Sequence, residues 1–489
     1  MLLFTNKFLQ SFILLVSVVL AVSLTSCNDD VFTTNPKYKL SFSKDTLTFD
    51  TVFTTVGSAT SKILVYNRNN YALKISQLYL AGGKSSAYRI NVDGSLDSLN
   101  QFKNVEIRAK DSMYIFVSVT IKTNSSLFIR DSIVFQTNGM LQNVKLEAYG
   151  QRINIINKLF LNCKILRNTT LSSTDPYYIR DSFIVAANRT LTIKPGCKFY
   201  FHNNANLIVY GNLKAEGTFD NPILMRGDRL DDIKFSTPFP YNNVAGQWGG
   251  IFLLGEGTNH VFSHVNMNSG YVGIYVRNNS FNNLPNLQIS DCRIHNFLLY
   301  GLIVQNANVT VTNSEISNTS SYSVYLNGGK HTFLQSTIAN YFDNSSVQPT
   351  TRDKKPALMI MNLNRVAPMQ TEFRNCIISG NYENEFSLAS RYLDQYNGIF
   401  DHCYIRKPDS LKLPQFSSIR WYAQKDTLFK SIRYDYEKKI YFNFMPDSVS
   451  PVRGKADPTV AAKFPLDLNG NPRNNKPDIG AYQWQPVKK

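Results

Sequence analysis

A short segment recurs through the second half of this 489-residue sequence. Each copy opens and closes with an apolar residue and has a small residue at its fourth position; the copies begin at Phe262, Ile289, Val311, Phe333, Phe373 and Phe400. Their starts lie 27, 22, 22, 40 and 27 residues apart. A repeat of this length that holds several short strands is typical of a parallel β-helix, where each turn buries its apolar side chains only against its neighbours. We therefore predict a β-helix over residues 152–450.

The fourth position of the repeat accounts for three of the cysteines. It holds, in order, Val265, Cys292, Ser314, Ser336, Cys376 and Cys403. A large apolar residue lies two positions further on in every copy, and because side chains alternate along a strand, this column points into the core with it. A free cysteine in such a place behaves as a small hydrophobe. We predict three buried free thiols here, while the pairing of Cys163 and Cys197 stays open.

Asparagines form a second column, just after the same strand. Asn296, Asn318 and Asn340 occupy it. Asparagine tolerates the left-handed backbone conformation, and its amide can bond to the next amide in a stack. A structural role in the turns is therefore predicted for these three residues.

Residues 38–151 carry short stretches of alternating apolar and polar residues, such as Lys39–Phe42 and Val144–Tyr149, separated by turn signals. About seven such strands in a segment of this length are expected of an immunoglobulin-like (Ig-like) sandwich. The segments Val52–Gly57, Ala109–Ser112 and Ala148–Gly150 resemble Ig-like domains of the abnormal-spindle/Hydin type. That resemblance implies a spacer or interaction module.

The first residues have the pattern of an export signal. A positive residue, Lys7, precedes the apolar stretch Phe8–Val22, which is short for a membrane span and is followed by small residues. The segment Leu24–Cys27 resembles a bacterial lipobox. The resemblance implies that residues 1–26 are a signal peptide, that Cys27 is acylated, and that the lipid anchors the protein to a membrane. Residues 27–37 are expected to form a tether.

The residues after Cys27 bear on the location. Asn28–Asp30 resembles the acidic tag of Bacteroidetes lipoproteins that are displayed on the cell surface, and a solvated tether explains the same residues. The expected location is that of an outer-membrane lipoprotein, with display at the cell surface left open.

Further motifs surround the regular repeat. Gln247–Ile251, Gly328–Phe333 and Pro477–Tyr482 resemble segments of right-handed parallel β-helix lipoproteins of the Bacteroidetes, which have a pectate-lyase-like fold. The resemblance implies that residues 451–489 form a C-terminal capping segment, and it implies no particular activity. The expected fold class is all-β, with an N-terminal Ig-like β-sandwich followed by a right-handed parallel β-helix.

Many right-handed β-helices cut acidic polysaccharides, and hydrolases of this kind need one carboxyl group as acid and another to activate water. Asp228, Asp231, Asp232 and Lys234 are the candidates, in the irregular segment 227–246. Arginines lie among them, so a solvated loop with local ion pairs is the favoured interpretation. The sequence predicts no metal or cofactor site, and it leans away from an enzyme.

Three insertions between turns, at 227–246, 341–356 and 380–397, carry aromatic residues beside basic ones. Insertions in solenoids commonly cluster on one face and form the binding surface. The candidate ligand-binding residues are Phe235, Tyr241, Tyr382, Tyr392 and Tyr396. Covering the flank of the β-helix explains these rings equally well.

The net charge and the expected export of the chain limit the classes of molecule that it is expected to bind. The net charge of +17 suits an acidic polymer, but the basic residues are scattered, and an exported chain makes nucleic acid an unsuitable partner. The expected function is that of a lipid-anchored cell-envelope protein that binds a glycan or another surface macromolecule, such as a protein, along the β-helix flank. The alternative is a polysaccharide lyase or glycoside hydrolase that acts on an acidic polysaccharide.

Asp followed by Ser or Thr and an apolar residue recurs in the sequence and resembles the O-glycosylation acceptor of exported Bacteroidetes proteins. The candidate acceptors are Thr46, Thr51 and Ser98. The same pattern also starts strands after turns, because both polar side chains can bond to nearby backbone amides, and this explains most copies without a sugar.

Overall fold

The structure is a computed structural model. It describes residues 31–157, 163–172, 174–233, 239–256, 258–279, 283–345, 347–362, 369–389, 397–408, 414–423, 426–435, 437–473 and 475–486. The chain divides into two compact units, residues 1–152 and residues 153–489. In the described part of the chain, no helix is both long enough and apolar enough to span a membrane.

The first unit is a β-sandwich. Its strands, as far as the residues are described, are β1 (Ser41–Phe42), β2 (Thr46–Phe53), β3 (Ser61–Tyr66), β4 (Leu73–Leu80), β5 (Tyr88–Val92), β6 (Ser95–Leu96), β7 (Gln101–Ile107), β8 (Ser112–Val119), β9 (Phe128–Thr137) and β10 (Met140–Gln151), with a 3₁₀ turn at Gly83–Ser85. They form two sheets, in the orders β1-β3-β8-β5-β6 and β2-β10-β9-β4-β7. Strands β2 and β10 pair in parallel, and the other pairs are antiparallel.

Alternation along the strands builds the core of this sandwich. In β8, Ile115 and Val117 are buried while Tyr114 and Phe116 are exposed. Apolar residues from both sheets form one buried cluster, as an Ig-like sandwich requires.

The strands of the second unit follow one another at short intervals. The first are β11 (Asn154–Ile156), β12 (Lys164–Ile165), β13 (Thr169–Leu171), β14 (Tyr177–Ile179), β15 (Phe183–Val185), β16 (Thr190–Ile193), β17 (Lys198–Phe201), β18 (Asn206–Val209), β19 (Asn212–Glu216), β20 (Ile223–Gly227), β21 (Asp232–Ile233) and β22 (Phe239–Pro240). Then come β23 (Gly250–Leu253), β24 (Asn259–Ser263), β25 (Val265–Asn268), β26 (Val272–Arg277), β27 (Asn286–Ser290), β28 (Arg293–Phe297), β29 (Tyr300–Gln305), β30 (Asn308–Thr312), β31 (Glu315–Thr319), β32 (Val324–Asn327), β33 (Lys330–Leu334) and β34 (Thr337–Asn340).

The last strands are β35 (Leu358–Met361), β36 (Gln370–Arg374), β37 (Ile377–Gly380), β38 (Phe386–Ala389), β39 (Asn397–Asp401), β40 (Tyr404–Ile405), β41 (Phe416–Ser417), β42 (Arg420–Trp421), β43 (Phe429–Ser431) and β44 (Asn443–Pro446). Helix α1 (Pro458–Ala461) follows, capped at its N-terminus by Asp457, and 3₁₀ turns lie at Tyr241–Asn243 and Phe342–Asn344.

Three long parallel sheets wind around one core. Sheet 1 is β11-β14-β17-β20-β25-β28-β31-β34-β37-β40-β42, sheet 2 is β12-β15-β18-β23-β26-β29-β32-β35-β38, and sheet 3 is β13-β16-β19-β24-β27-β30-β33-β36-β39-β41. Successive strands pass from one sheet to the next, so each turn of the chain is a rung that pairs with the rungs before and after it. Together with the sandwich, this confirms the predicted fold class, an Ig-like domain followed by a parallel β-helix.

Stacked aromatic rings show how the rungs share their core. Phe333, Phe373, Phe400 and Phe416 lie on consecutive strands of sheet 3, with ring centroids 4.6, 4.8 and 4.7 Å apart and planes within 10° of parallel. This spacing equals the distance between hydrogen-bonded strands, about 4.8 Å. Equivalent residues of the repeat therefore stack directly on one another.

The cysteine column lies where it is predicted. Cys292, Cys376 and Cys403 are fully buried and free, and Cys163 and Cys197 are also buried and free. Burial raises the pKa of Cys292 to about 12, so the thiol stays protonated. The prediction of buried free thiols is confirmed.

The asparagine column agrees with the prediction in part. Asn296 and Asn318 have the expected positive φ, 61° and 54°, but their amides bond to groups outside the column. An amide ladder forms instead at the starts of sheet 3 strands, where Asn308 donates to Asn286 (3.1 Å) and Asn286 donates to Asn259 (3.2 Å).

The C-terminal segment returns along the outer face of sheet 1. Its hydrogen bonds to the rungs include Asp457 N to Asn375 Oδ1 (2.7 Å), Ala481 N to Thr337 Oγ1 (3.0 Å), Gln335 Nε2 to Asp478 O (2.7 Å) and Arg293 Nη2 to Leu468 O (2.9 Å). Gly480 has φ +98°, and a side chain there would collide with Ile377. The segment spans the four successive rungs of β28, β31, β34 and β37, and it buries an apolar cluster on them.

Two histidines replace aliphatic residues in the inward column of sheet 3. His260 pairs in register with Leu213 and Leu287, and His331 pairs with Val309. Both histidines are almost completely buried, and neither ring nitrogen of His331 has a hydrogen-bond partner among the described residues. Burial lowers the pKa of His260 to about 4 and that of His331 to about 3.

We expect His331→Leu to stabilise the β-helix and to weaken its pH dependence. Above pH 6.5 the gain comes from removing unpaired buried nitrogens, roughly 1–3 kcal/mol. As the pH falls from 6.5 towards 3, only the unfolded chain takes up a proton at His331, so the wild type loses up to about 1.4 kcal/mol of unfolding free energy per pH unit at this site. Urea unfolding of both proteins between pH 7 and 4.5 measures this difference. Val309→Ile, which removes no titratable group, is the control; equal slopes for His331→Leu and wild type would contradict the assignment.

Candidate functional site

The predicted acidic cluster is held in local ion pairs. Asp228 Oδ2 lies 2.6 Å from His202 Nδ1 and accepts a hydrogen bond from Tyr178 at 3.0 Å. Asp231 forms a two-point pair with Arg229, with both N–O distances 2.7 Å. The structure therefore gives these two carboxylates separate protein partners and does not bring them together on a common point.

Of the other predicted site residues, one lies in a described strand and several lie outside the described residues. Asp232 lies in β21, which pairs with β22. The candidates outside the described residues are Cys27, Lys234, Phe235, Tyr392 and Tyr396.

The two predicted aromatic residues that are described contact arginines of the protein itself. The Arg229 guanidinium lies 3.9 Å from the centroid of the Tyr241 ring, and that of Arg352 lies 4.2 Å from the Tyr382 ring. The Tyr382 hydroxyl also donates to Asp343 at 3.0 Å. Both rings help to hold their loops in place, and neither borders the cavity described next.

The candidate O-glycosylation residues differ in exposure. Thr51 and Ser98 are exposed, and Thr46 is half-buried. The carboxylate of Asp97, next to Ser98, accepts hydrogen bonds from backbone amides two and four residues ahead, at Leu99 and Gln101. Asp97 thus bonds to nearby backbone amides in a turn, which is the explanation of the motif that needs no sugar. Modification of these residues stays a prediction.

A cavity of about 410 Å³ lies on the outer face of sheet 1, beneath the C-terminal segment. Its floor comes from β28 and β31, through Arg293, His295, Glu315 and Ser317. The insertions supply Asn243 and Gln348, and residues after 426 supply Tyr434, Tyr441, Asn469 and Tyr482. Two of the three predicted insertions thus reach this cavity, but with amide side chains and not with the aromatic rings that the sequence singled out.

A buried carboxylate is the centre of the floor. Glu315 accepts hydrogen bonds from the hydroxyls of Ser317, at 2.5 Å, and Tyr482. Arg293 lies beside them, with Nε 3.3 Å from the Tyr482 hydroxyl and Nη2 2.5 Å from Asn469 Oδ1. The carboxylate is therefore fixed by donors from its own strand and from the C-terminal segment, and its charge is balanced by a neighbouring guanidinium.

Two neutral groups adjoin this carboxylate. Burial lowers the pKa of His295, against the opposing effect of Glu315, so the half-buried imidazole is neutral at pH 7. Burial and the Glu315 charge raise the pKa of Tyr482 well above its usual range, so its hydroxyl remains a donor. The floor of the cavity thus combines one anion, one cation and uncharged hydrogen-bonding groups.

Amides line the opposite wall. Gln348 Nε2 donates to Asn296 Oδ1 at 2.6 Å and to the backbone carbonyl of Asn243 at 3.1 Å. The side-chain amide of Asn243 donates to the Tyr434 hydroxyl at 2.5 Å. Asn296 Nδ2 is buried without a hydrogen-bond partner in the described part of the chain, which leaves one donor of this wall unsatisfied.

A buried ion pair lies beside this wall, between the insertion that carries Gln348 and the next insertion. Arg352 and Glu385, whose side chains are 0% exposed, meet through two bonds of 2.8 and 2.9 Å. Glu385 also accepts hydrogen bonds from the backbone of Ala357 and Tyr382, and Arg352 donates to the carbonyl of Asn340. The pair therefore ties the insertion that carries Gln348 to the next insertion and to sheet 1.

One group in the described residues has a spacing that a metal ion would accept. The ligand atoms of Asp401, His402 and Asp457 lie within 4.8 Å of one another. Arg374 and Ser417 already bond to the Asp401 carboxylate, at 3.0 and 2.7 Å. A carboxylate that is neutralised by an arginine is a poor cation ligand, and we assign no metal to this group.

Comparisons with known proteins identify no family. No family model matches the chain. The Drosophila melanogaster protein named Protein bark beetle is 30% identical over 118 residues, which cover 19% of this chain and 4% of that protein. The chain thus spans only a small part of the length of this relative.

Two solved structures are similar to parts of the chain. The ASH/PapD-like domain 7 of human CEP192 is 11% identical, with a TM-score of 0.17, and the match covers 26% of this chain and 96% of that chain. A family 123 glycoside hydrolase from Clostridium perfringens, described in connection with glycolipid glycan hydrolysis, is also 11% identical with a TM-score of 0.17, over 23% of this chain and 27% of that chain. These scores are too low to assign a site or an activity.

We expect Glu385→Gln to destabilise the second unit by roughly 3–5 kcal/mol, because it leaves the Arg352 charge buried without its partner. Denaturant unfolding followed by tryptophan fluorescence measures the change. The double variant Arg352→Met/Glu385→Leu removes both charges and is expected to recover most of the loss.

Asp435→Asn, in the exposed pair with Lys438, is the matched control and is expected to leave the unfolding midpoint unchanged. A Glu385→Gln midpoint equal to that of this control would show that the buried pair does not support the loops.

Proposed function

We propose that this protein is a lipid-anchored cell-envelope protein that binds a glycan in the cavity on the outer face of sheet 1. The observation that carries the proposal is the lining of the cavity, which combines amides, hydroxyls and aromatic rings around a carboxylate whose charge is already balanced. Binding sites for small molecules commonly have this composition, with an apolar or aromatic surface and a few placed polar groups.

The lining suits a sugar for two reasons. Amide and hydroxyl groups both donate and accept hydrogen bonds, as sugar hydroxyls do, and the Nδ2 of Asn296 is a donor without a partner among the described residues. The rings of Tyr434 and Tyr441, with centroids 5.8 Å apart, supply apolar faces with polar edges. The balanced charge of Arg293 and Glu315 favours a ligand segment without a net charge.

An enzyme, either a polysaccharide lyase or a glycoside hydrolase acting on an acidic polysaccharide, is the second candidate. The observation that favours it is the neutral imidazole of His295, which lies in the cavity floor in register with Ser317 on β31, two residues from Glu315. A neutral histidine can accept a proton, as a lyase requires. Among the described lining residues, however, Glu315 is the single carboxylate, whereas hydrolysis by two carboxyl groups needs a pair.

We expect His295→Ala and Tyr441→Ala to weaken glycan binding about tenfold each, the effect of losing roughly 1.4 kcal/mol of contact energy. A panel of neutral and acidic polysaccharides, assayed for binding by calorimetry and for new reducing ends and unsaturated products, tests both candidates. Thr310→Ala, an exposed change on sheet 3, is the control. Binding that is the same in all three variants would remove the cavity as the site, and product formation that His295→Ala abolishes would establish the enzyme.

The lipid anchor, the outer-membrane location and a Bacteroidetes-type origin form a separate part of the proposal. Their support is the lipobox-like segment Leu24–Cys27 and the acidic residues that follow it. Acyl chains hold a protein at a membrane because each buried methylene contributes about 0.8 kcal/mol.

We expect Cys27→Ser to move the protein from the membrane fraction to the soluble fraction of the native host, because this residue would carry the acyl chains. Fractionation followed by intact-mass measurement checks the location and the lipid together. Cys197→Ser, which changes a buried cysteine in the second unit, is the control and leaves the fractionation unchanged. A Cys27→Ser protein that still needs detergent for its release would contradict the anchor.

A further inference from the structure

An apolar column runs along the outer face of sheet 2. Seven neighbouring strands of sheet 2, from β15 to β35 in the order of that sheet, each contribute one side chain. In register these are Ile184, Ile208, Phe252, Tyr275, Ile303, Tyr325 and Met359. We call these seven residues the apolar column. Each is partly exposed to solvent, and its neighbours along the strand are buried in the core. None of the seven carries a charge.

The corresponding outward column of sheet 3 is mostly polar. Residues in register on its outer face are Thr192, Lys214, Val261, Gln288, Thr310, Thr332 and Glu372. The outer face of sheet 1, from β28 to β37, is covered by the C-terminal segment of the same chain. Sheet 2 is thus the sheet on which a run of apolar side chains remains partly exposed, and an apolar patch of a few hundred Å² on a soluble protein is often a functional surface.

Further rings widen the column on its upstream side. Tyr300 and Tyr322 stack with centroids 6.2 Å apart and planes within 7°, and Tyr322 lies 5.5 Å from Tyr325. The Tyr275 hydroxyl donates to Gln305 Oε1 at 2.9 Å, which places a polar group at the other edge. The face therefore offers flat rings with hydrogen-bonding groups at their margins.

The size of the face argues against a second copy of the chain as its occupant. Seven rungs about 4.8 Å apart and strands of about four residues give a face of roughly 400 Å². A stable interface between two proteins needs about 800 Å² on each partner. A narrow chain that follows the column fits this area better than a folded domain does.

We propose that the apolar column binds an extended, uncharged polysaccharide chain that lies across the rungs. Aromatic rings pack against the apolar faces of pyranose rings, and the margins provide partners for their hydroxyls. The rung spacing of about 4.8 Å is comparable to the length of one sugar unit in an extended chain, so a chain that follows the column can contact several rungs. Because none of the seven residues carries a charge, the column offers no ion pair to an acidic chain, although the protein as a whole carries +17. This site is distinct from the cavity on sheet 1 and does not depend on it.

The test uses the purified full chain with galactomannan, xyloglucan and mixed-linkage β-glucan as neutral probes and with heparin and polygalacturonate as acidic ones. We expect Tyr275→Ala/Tyr325→Ala to weaken binding of a neutral polysaccharide at least tenfold, with little dependence on salt. Gln288→Ala/Thr310→Ala on sheet 3 is the matched control. The comparison is also made in the His295→Ala background, so that binding in the cavity does not mask a loss at this face. Footprinting of the wild type by hydroxyl radicals, which needs no variant, is expected to show protection of Tyr275 and Tyr325 by the neutral probe.

Three results would overturn the proposal. The first is that the wild type binds no neutral probe, and the second is that the tyrosine variant binds it as tightly as the wild type does. The third is a wild-type dimer in sedimentation that becomes a monomer in the tyrosine variant, which would assign the face to a second copy. The second result together with loss of binding in His295→Ala would place the glycan in the cavity alone.

Discussion

In-register parallel hydrogen bonding between successive rungs is the constraint on which the second unit depends. Because each strand pairs with the equivalent strand one turn later, every position of the repeat is placed directly above its counterpart. The phenylalanine stack and the cysteine column are the inward result, at a spacing of about 4.8 Å set by the backbone. The same register acts on the outward positions, so a surface property that recurs in the sequence becomes a continuous line in space.

The core could be predicted because burial restricts each inward position to few residue types. An alignment of the repeat therefore predicts that Cys376 and Cys403 share one buried column, and both are fully buried and free in the structure. Polar side chains can be satisfied by several different hydrogen-bond partners, so their contacts are harder to predict. Asn318 satisfies the backbone amide of Tyr341, whereas the amide ladder forms among other asparagines, and nothing in the spacing distinguished the two columns.

The candidate site could not be predicted, because its parts come from distant segments. Tyr482 meets Glu315 across 167 residues of sequence, and the repeat alone does not say which sheet the last residues cover. A usable signal was present: Arg293 and Glu315 occupy equivalent outward positions on adjacent rungs, where an isolated solenoid needs no charge pair. The aromatic residues in the insertions were more conspicuous in the sequence, yet the described ones contact arginines of their own loops.

The return of the C-terminal segment over sheet 1 has a consequence for the order in which the protein forms. A solenoid can assemble rung by rung as its chain is synthesised, since each rung needs only the one before it. Here the outer surface of β28 to β37 is completed by residues 457–482, which are made after those strands. Until they arrive, Glu315 lacks the Tyr482 donor and the apolar side of Ile377 lacks its cover. The coil can therefore grow from its N-terminal end, but the pocket on sheet 1 exists only once residues up to Tyr482 have been made.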